Sequence, residues 1–479
     1  MLKRFAPAAV AIAVLAGGAA PGAQQAPDRS TAPKIGAPPA LTLPDIQKRT
    51  LSNGLPVWIV ELHKVPVASV TLVVRAGGAA DPAGQFGLAS LAADMLDEGA
   101  GGRDALQIAD AVDYLGANLS TSSSPDAALV DLHVPAARLG DALPIMADVA
   151  LRPTFPDAEL QRVREERLTS LLQAADNPAA LVQFAFPRLV YGPTHRYGTL
   201  AIGTAASING FTTAVLRQFH TARYVPANAA VIVTGDISPA TVLPMLESAF
   251  GGWKGAAIGA AELPAPAQLT ARKVYLVDKP GAAQSQIRIG WVGVPRSTPD
   301  YFALRVLNTV LGGAFTSRLN QNLRETHGYA YGASSSFDMR GAAGPFFAAA
   351  GVQTDKTSEA LTEFFKELDG IRKPIPADEL DKAKSYVAAL LPRSFETTQA
   401  LAGSLAQAFI YNLPADYYQT FTERVRGVTV ADAEHAAARY IQPDKFAVVV
   451  VGDLKAIEPG IRALNLGPVS TVAIADVMK

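Results

Sequence analysis

Two short stretches of this chain hold residues whose type and spacing could do chemistry. In Leu323–Gly332, read L-R-E-T-H-G-Y-A-Y-G, Arg324 closes a helix whose stripe runs back through Leu319 and Phe315. Gly328 is placed to end that helix, and Tyr329 and Tyr331 follow on one face of a strand. A guanidinium fork and a phenol hydroxyl held close together are donors to a peptide carbonyl. Aimed at a developing oxyanion they would contribute several kcal/mol, by comparison with about 3 kcal/mol for a single oxyanion-hole donor. In Gly87–Gly99, read G-L-A-S-L-A-A-D-M-L-D-E-G, the residues Leu88, Leu91, Met95 and Leu96 recur at helical spacing. The opposite face carries Ser90, Ala93 and Asp94. An inverted H-x-x-E-H motif would set two zinc-binding imidazoles and a water-activating Glu at those positions. Here neither imidazole nor base is present. Glu166, on a later helix, could add a second carboxylate, but such a pair suits at best a weak hard cation. The plainer readings are that the Gly87 helix is structural, that Arg324 caps carbonyls and that the tyrosines fill a half-buried strand.

Other chemistries are excluded by composition. The chain has no cysteine, which removes disulfides, thiolate nucleophiles and cysteine metal sites. Its six histidines include no pair at i, i+2, i+3 or i, i+4, so no local metal pair exists and none of them is assigned to a metal. A G-x-S-x-G elbow, a P-loop and a dinucleotide fingerprint are all missing. A net charge of −1 offers nothing to nucleic acid or to an anionic membrane surface.

The elements that must position these residues follow from pattern. Residues 1–23 combine Lys3 and Arg4 with the apolar run Ala8–Ala16 and a small-residue stretch, the layout of a secretory signal peptide. Residues 24–46 are Pro- and Ala-rich and read as a flexible leader. No later segment is apolar for long enough to span a bilayer, so the expectation is an exported, soluble protein of a bacterial periplasm. Helical spacing marks Arg103–Leu115, Ala136–Leu151 and Pro156–Ala175, while Val67–Arg75, Asn118–Ser123 and Ala127–Val134 read as strands.

The Gly-, Ala- and Pro-rich stretch 251–268 is read as a linker. On its two sides the chain repeats itself. Ala222–Asp236 (A-R-Y-V-P-A-N-A-A-V-I-V-T-G-D) matches Ala438–Asp453 (A-R-Y-I-Q-P-D-K-F-A-V-V-V-V-G-D). The strand Gln286–Val294 followed by the helix Tyr301–Leu311 mirrors Val67–Arg75 followed by the Gly87 helix. Duplication into two homologous α+β domains, 47–250 and 269–479, each of mixed or antiparallel sheet packed by helices, is the economical explanation.

From about Lys48 to Leu466 the chain resembles the pitrilysin/insulinase-type zinc metallopeptidases, in a half-length bacterial branch similar to mitochondrial processing peptidase. The resemblance rests on the order of T-L-S-N-G-L, R-A-G-G-A-A-D-P with G-L-A-S-L-A-A-D-M-L, V-R-E-E-R with D-N-P, H-R-Y-G-T-L-A-I-G-T, and L-G-G-A-F-T-S-R-L-N-Q-N-L-R-E-T-H-G-Y-A-Y-G. It implies that Ser90, Ala93, Asp94 and Glu166 stand at degenerate zinc-motif positions. It also implies that Arg324 and Tyr331 bind substrate and assist the transition state, with Tyr329 the lesser alternative to Tyr331. The implied protein is the non-zinc subunit of a heterodimer. It holds no cofactor itself and pairs with a homologous subunit that carries the inverted motif and the zinc. Peptide or unfolded protein would add as a strand to a sheet edge, for which Val67–Val74 is a candidate. The alternative is a scaffold or peptide-binding homologue without a peptidase role.

Overall fold

A computed structural model describes residues 43–256, 258, 259 and 263–479. The expected signal peptide and leader residues 24–42 lie outside the described residues. Residues 43–479 form one compact unit.

Twelve strands build two six-stranded sheets. The first half supplies β1 (Gln47–Thr50), β2 (Pro56–Glu61), β3 (Val67–Val74), β4 (Asn118–Ser123), β5 (Ala128–Pro135) and β6 (Ala229–Gly235). The second supplies β7 (Lys273–Asp278), β8 (Gln284–Val292), β9 (Ala330–Phe337), β10 (Pro345–Gln353), β11 (Ala447–Gly452) and β12 (Val469–Val472). The sheets run β1-β2-β6-β3-β5-β4 and β12-β7-β11-β8-β10-β9. In each, the second and third strands are parallel and the next three pairings antiparallel. Only the first pairing differs, antiparallel for β1 and parallel for β12. The two stretches singled out by sequence repetition, now β6 and β11, hold the same place in the two sheets.

The helices that matter for position are α1 (Leu88–Asp94), α2 (Ala105–Tyr114), α3 (Leu139–Leu151), α4 (Asp157–Asp176), α5 (Pro178–Tyr191), α6 (Tyr301–Asn308), α7 (Thr357–Gly370), α8 (Ala377–Leu390) and α9 (Thr398–Ile410). Each sheet buries one face under helices of its own half. The other face is covered by a helix from the opposite half. Leu181, Ala185 and Phe186 of α5 pack with Val292, Val449 and Val451 of the second sheet. Leu401 and Leu405 of α9 pack with Val73 and Ile232 of the first. Both crossing helices start on a side-chain cap: Asn177 accepts from the amides of Ala179 and Ala180, and Thr397 from that of Ala400.

This exchange corrects the reading of Val67–Val74 as a sheet edge. β3 lies in the middle of its sheet, between β6 and β5. Both its faces are covered, which is why its sequence is an almost continuous apolar run. Its two polar residues are satisfied: Ser69 Oγ bonds Thr398 Oγ1 at 2.8 Å and Thr71 donates to Asp131. The stretch 251–268 contains no helix or strand among its described residues, yet it is anchored. The Trp253 indole donates to the Tyr224 carbonyl at 3.1 Å, and His195 Nε2 donates to Pro264 at 3.1 Å.

Candidate functional site

The Gly87 helix begins on a left-handed glycine, Gly87, at φ +91°. A Cβ there would stand 2.7 Å from the backbone of Gly203, so the position requires glycine. Asp81 accepts the amides of Gly87 at 2.7 Å and Ala89 at 2.8 Å, capping the helix from the preceding loop. Burial pushes the Asp81 carboxyl up to about 7, against the pull of those two amides. The apolar face of α1, with Leu88 and Leu91, sinks into the first core, and Ala93 is buried beside them. Ser90 and Asp94 face α4.

The side chain that meets them is Arg167. Along α4 the buried stripe is Leu160, Val163, Arg167 and Leu171. Arg167 Nη2 donates to Ser90 Oγ at 2.9 Å and to Asp94 at 2.5 Å, and Nη1 donates to the Ile202 carbonyl at 3.2 Å. Its side chain is 7% exposed, that of Asp94 47%. Glu166 is therefore not the partner of this helix face. One residue along α4 turns its side chain about 100° away from the stripe. There it is 60% exposed and pairs with Arg162 at 2.8 Å. The residues present do not fit zinc: a hydroxyl, a methyl and a carboxylate already neutralised by a guanidinium offer no set of free ligands. Among the described residues, no group of three or more His, Asp or Glu side chains gathers as metal ligands. Sequence reasoning missed Arg167, although a charged residue inside the stripe Leu160–Val163–Leu171 was a visible signal.

The second site is open. A short helix at Arg318–Asn320 continues into a π turn, Gln321–Thr326, and stops at Gly328, φ +64°. The Tyr329 amide bonds back to the Leu323 carbonyl at 2.9 Å. Leu319 and Leu323 are fully buried, as the stripe predicts. Phe315 is not: it precedes the first helical residue, so helical spacing does not govern it, and it is 64% exposed. Its ring lies under Arg324, whose guanidinium carbon is 4.3 Å from the centroid. The same carbon is 5.6 Å from the Tyr331 ring.

Arg324 and Tyr331 thus come together as expected. Tyr329 and Tyr331 do not share a face. A bulge between Ala330 and Ala333 breaks the alternation of β9. Tyr331 projects outward, 90% exposed, while Tyr329 packs against the second core and stacks on His327 at 4.9 Å.

Beside this stack, a cleft of about 560 Å³ lies between α8 and a second π turn, Thr309–Gly313. Ala314 and Thr316, on either side of Phe315, form part of its wall, with Val310, Ala383 and Tyr386. Short π turns of this kind are frequent at functional sites. The outer edge of β9 is partly closed: Asn320 accepts from the Ala333 amide at 3.1 Å and Asn308 donates to the Ser335 carbonyl at 3.0 Å. No side chain among the described residues covers the backbone of β4, an outer strand of the first sheet, in this way.

Two family models match the chain. The insulinase model of peptidase family M16 matches residues 57–200, and the peptidase M16 inactive domain matches residues 210–387. An uncharacterized zinc protease of Mycobacterium leprae is 30% identical over 298 residues, 61% of this chain and 66% of that protein. An uncharacterized zinc protease of Mycobacterium tuberculosis is 26% identical over 412 residues, 85% of this chain and 93% of that one. The crystal structure of a peptidase M16 inactive domain from Pseudomonas fluorescens superposes with a TM-score of 0.79 at 28% identity, covering 85% of this chain and 98% of that one. A protease from Helicobacter pylori has the same fold, with a TM-score of 0.79 at 23% identity over 85% of this chain and all of its own.

Proposed function

This chain belongs to peptidase family M16, and from that membership we propose that it is the non-zinc subunit of an exported, heterodimeric zinc metalloendopeptidase acting on peptides or unfolded protein. A homologous subunit brings the inverted motif and the metal. This chain brings a surface for the substrate and two donors. The observation that carries the reading is the pairing of Arg324 with Tyr331: a guanidinium shelved on Phe315 next to a phenol that is almost wholly exposed. A buried or tightly paired arginine would be structural. This one has only a loose contact, 3.5 Å, with Glu325. Its remaining donors are available to a substrate carbonyl, and the Phe315 shelf restricts its rotamers before substrate arrives.

In the assembled enzyme Arg324 grips the carbonyl oxygen of the peptide and the Tyr331 hydroxyl donates beside it. Both bonds strengthen as that oxygen gains charge, which is where such donors reduce a barrier. No proton needs to leave either group. Substrate chain can lie along the uncovered outer edge of β4, where backbone amides and carbonyls remain available. The β9 edge is less suited between Ala333 and Ser335, where Asn320 and Asn308 already bond it.

The test is reconstitution with a zinc-motif partner, comparing the natural chain with Arg324→Ala and Tyr331→Phe. A loss of kcat/KM with an unchanged dimer supports the reading. Unchanged turnover in both variants would sink the assigned roles and favour a scaffold.

A further inference from the structure

We propose that Arg167 is a resident cation standing in for a metal: its guanidinium fills the degenerate zinc position and bars a divalent ion from it. The inference concerns the chain's own chemistry and does not depend on which subunit it pairs with.

Three observations meet here. The first is place. Arg167 Nη2 bonds Ser90 and Asp94, one turn apart on α1, which are the two positions where the inverted motif would set its imidazoles. The second is burial. A side chain 7% exposed puts its charge where an unpaired ion would be costly, so Asp94 is held as its counter-ion. The third is what the bonds join. With the further bond to Ile202, one guanidinium ties α1, α4 and the loop at Gly203, against which Gly87 is packed without room for a methyl. A metal held between α1 and a later helix would make the same kind of link. Here it is built from a fixed charge that no chelator removes. Losing imidazoles alone would leave a vacant acidic face at Asp94. With Arg167 present, that face is already neutral, and a divalent ion meets a like charge within contact distance.

The experiment uses the full chain. Ser90→His, Ala93→Glu and Asp94→His are introduced together, once with Arg167 retained and once with Arg167→Ala. Zinc binding is measured by calorimetry and by metal content after dialysis. At least a hundredfold tighter zinc binding is expected when Arg167 is removed, and equal affinity in the two variants would overturn the proposal. A second measurement needs only mild changes. A double-mutant cycle of Asp94→Asn and Arg167→Gln is read by urea unfolding, with near-ultraviolet circular dichroism as the control for folding. Coupling of at least tenfold in the unfolding equilibrium is expected. Additive effects within twofold would show that Arg167 does not hold Asp94, and would refute the stand-in role even if the four-substitution chain does not fold.

Discussion

Two copies of one fold place a glycine-ended helix before a strand, and they use it differently. In the first half α2 ends at Gly116, φ +61°, and leads into β4; in the second the π turn ends at Gly328, φ +64°, and leads into β9. Four residues before the glycine stands Val112 in one copy and Arg324 in the other. Three residues after it stand Leu119 and Tyr331. Val112 and Leu119 join the first core, whereas Arg324 and Tyr331 stack outside the second. β4 pairs without a break, while β9 carries a bulge that throws Tyr331 out. The exposed Arg324–Tyr331 pair therefore comes from side-chain choice and one inserted residue on an unchanged frame. On α1 the polar face is instead closed by an ion pair with Arg167.

The strongest way to break this contrast is Arg324→Ala, which should lower kcat/KM of the reconstituted peptidase by about 10²–10³-fold, the cost typical of losing one oxyanion donor. Urea unfolding of the same variant should barely move. If stability fell instead, Arg324 would belong with Val112 as a packing residue. Next comes Asp94→Ala. It leaves Arg167 buried without its counter-ion and should cost about 3 kcal/mol of stability, the lower end for breaking a buried pair, since Ser90 and Ile202 still accept from it. Arg167→Met should cost less, because Asp94 is half exposed and can rehydrate. An order opposite to this, measured by urea denaturation, would mean that the ion pair is not what holds α1 to α4.

The exchange of helices between halves predicts about 2–3 kcal/mol of destabilisation for Leu405→Ala, which empties a buried position between α9 and the first sheet. Both halves should melt together in that variant; separate transitions would show that the exchange does not couple them. Tyr331→Phe should cost about tenfold in kcat/KM, the worth of roughly 1.4 kcal/mol. A further effect is on pH. Asp81 has its carboxyl raised from the usual 3.8 to about 7, so between those values the folded chain holds a proton that the unfolded chain releases. Stability should fall as pH rises through that window, and Asp81→Asn should flatten the slope. A natural chain equally stable to urea at pH 5 and pH 8 would contradict this.

Much of this was legible before any coordinates. β4 coincides with the predicted Asn118–Ser123, and its residues alternate between exposed and half-buried along the strand. Gly328 was readable as a helix stop because few residues but glycine take a left-handed turn there. Arg324 and Tyr331 were found from a motif whose short span keeps its members near one another however the rest folds. Glu166 came from the resemblance alone, and which residue of α4 faces α1 depends on the angle at which the two helices dock.

By itself, then, the sequence determined the duplication, the element order and the Arg–Tyr stretch, all of which depend on periodicity and local turn chemistry. Only the tertiary structure decided that β3 is central, that α5 and α9 cross to the opposite sheet, and that Arg167 bonds Ser90 and Asp94. Those facts join residues far apart in the chain, such as Ser90 with Arg167 and Ser69 with Thr398. Such pairings are chosen by the shared burial of whole faces, a quantity that exists only once the elements have packed.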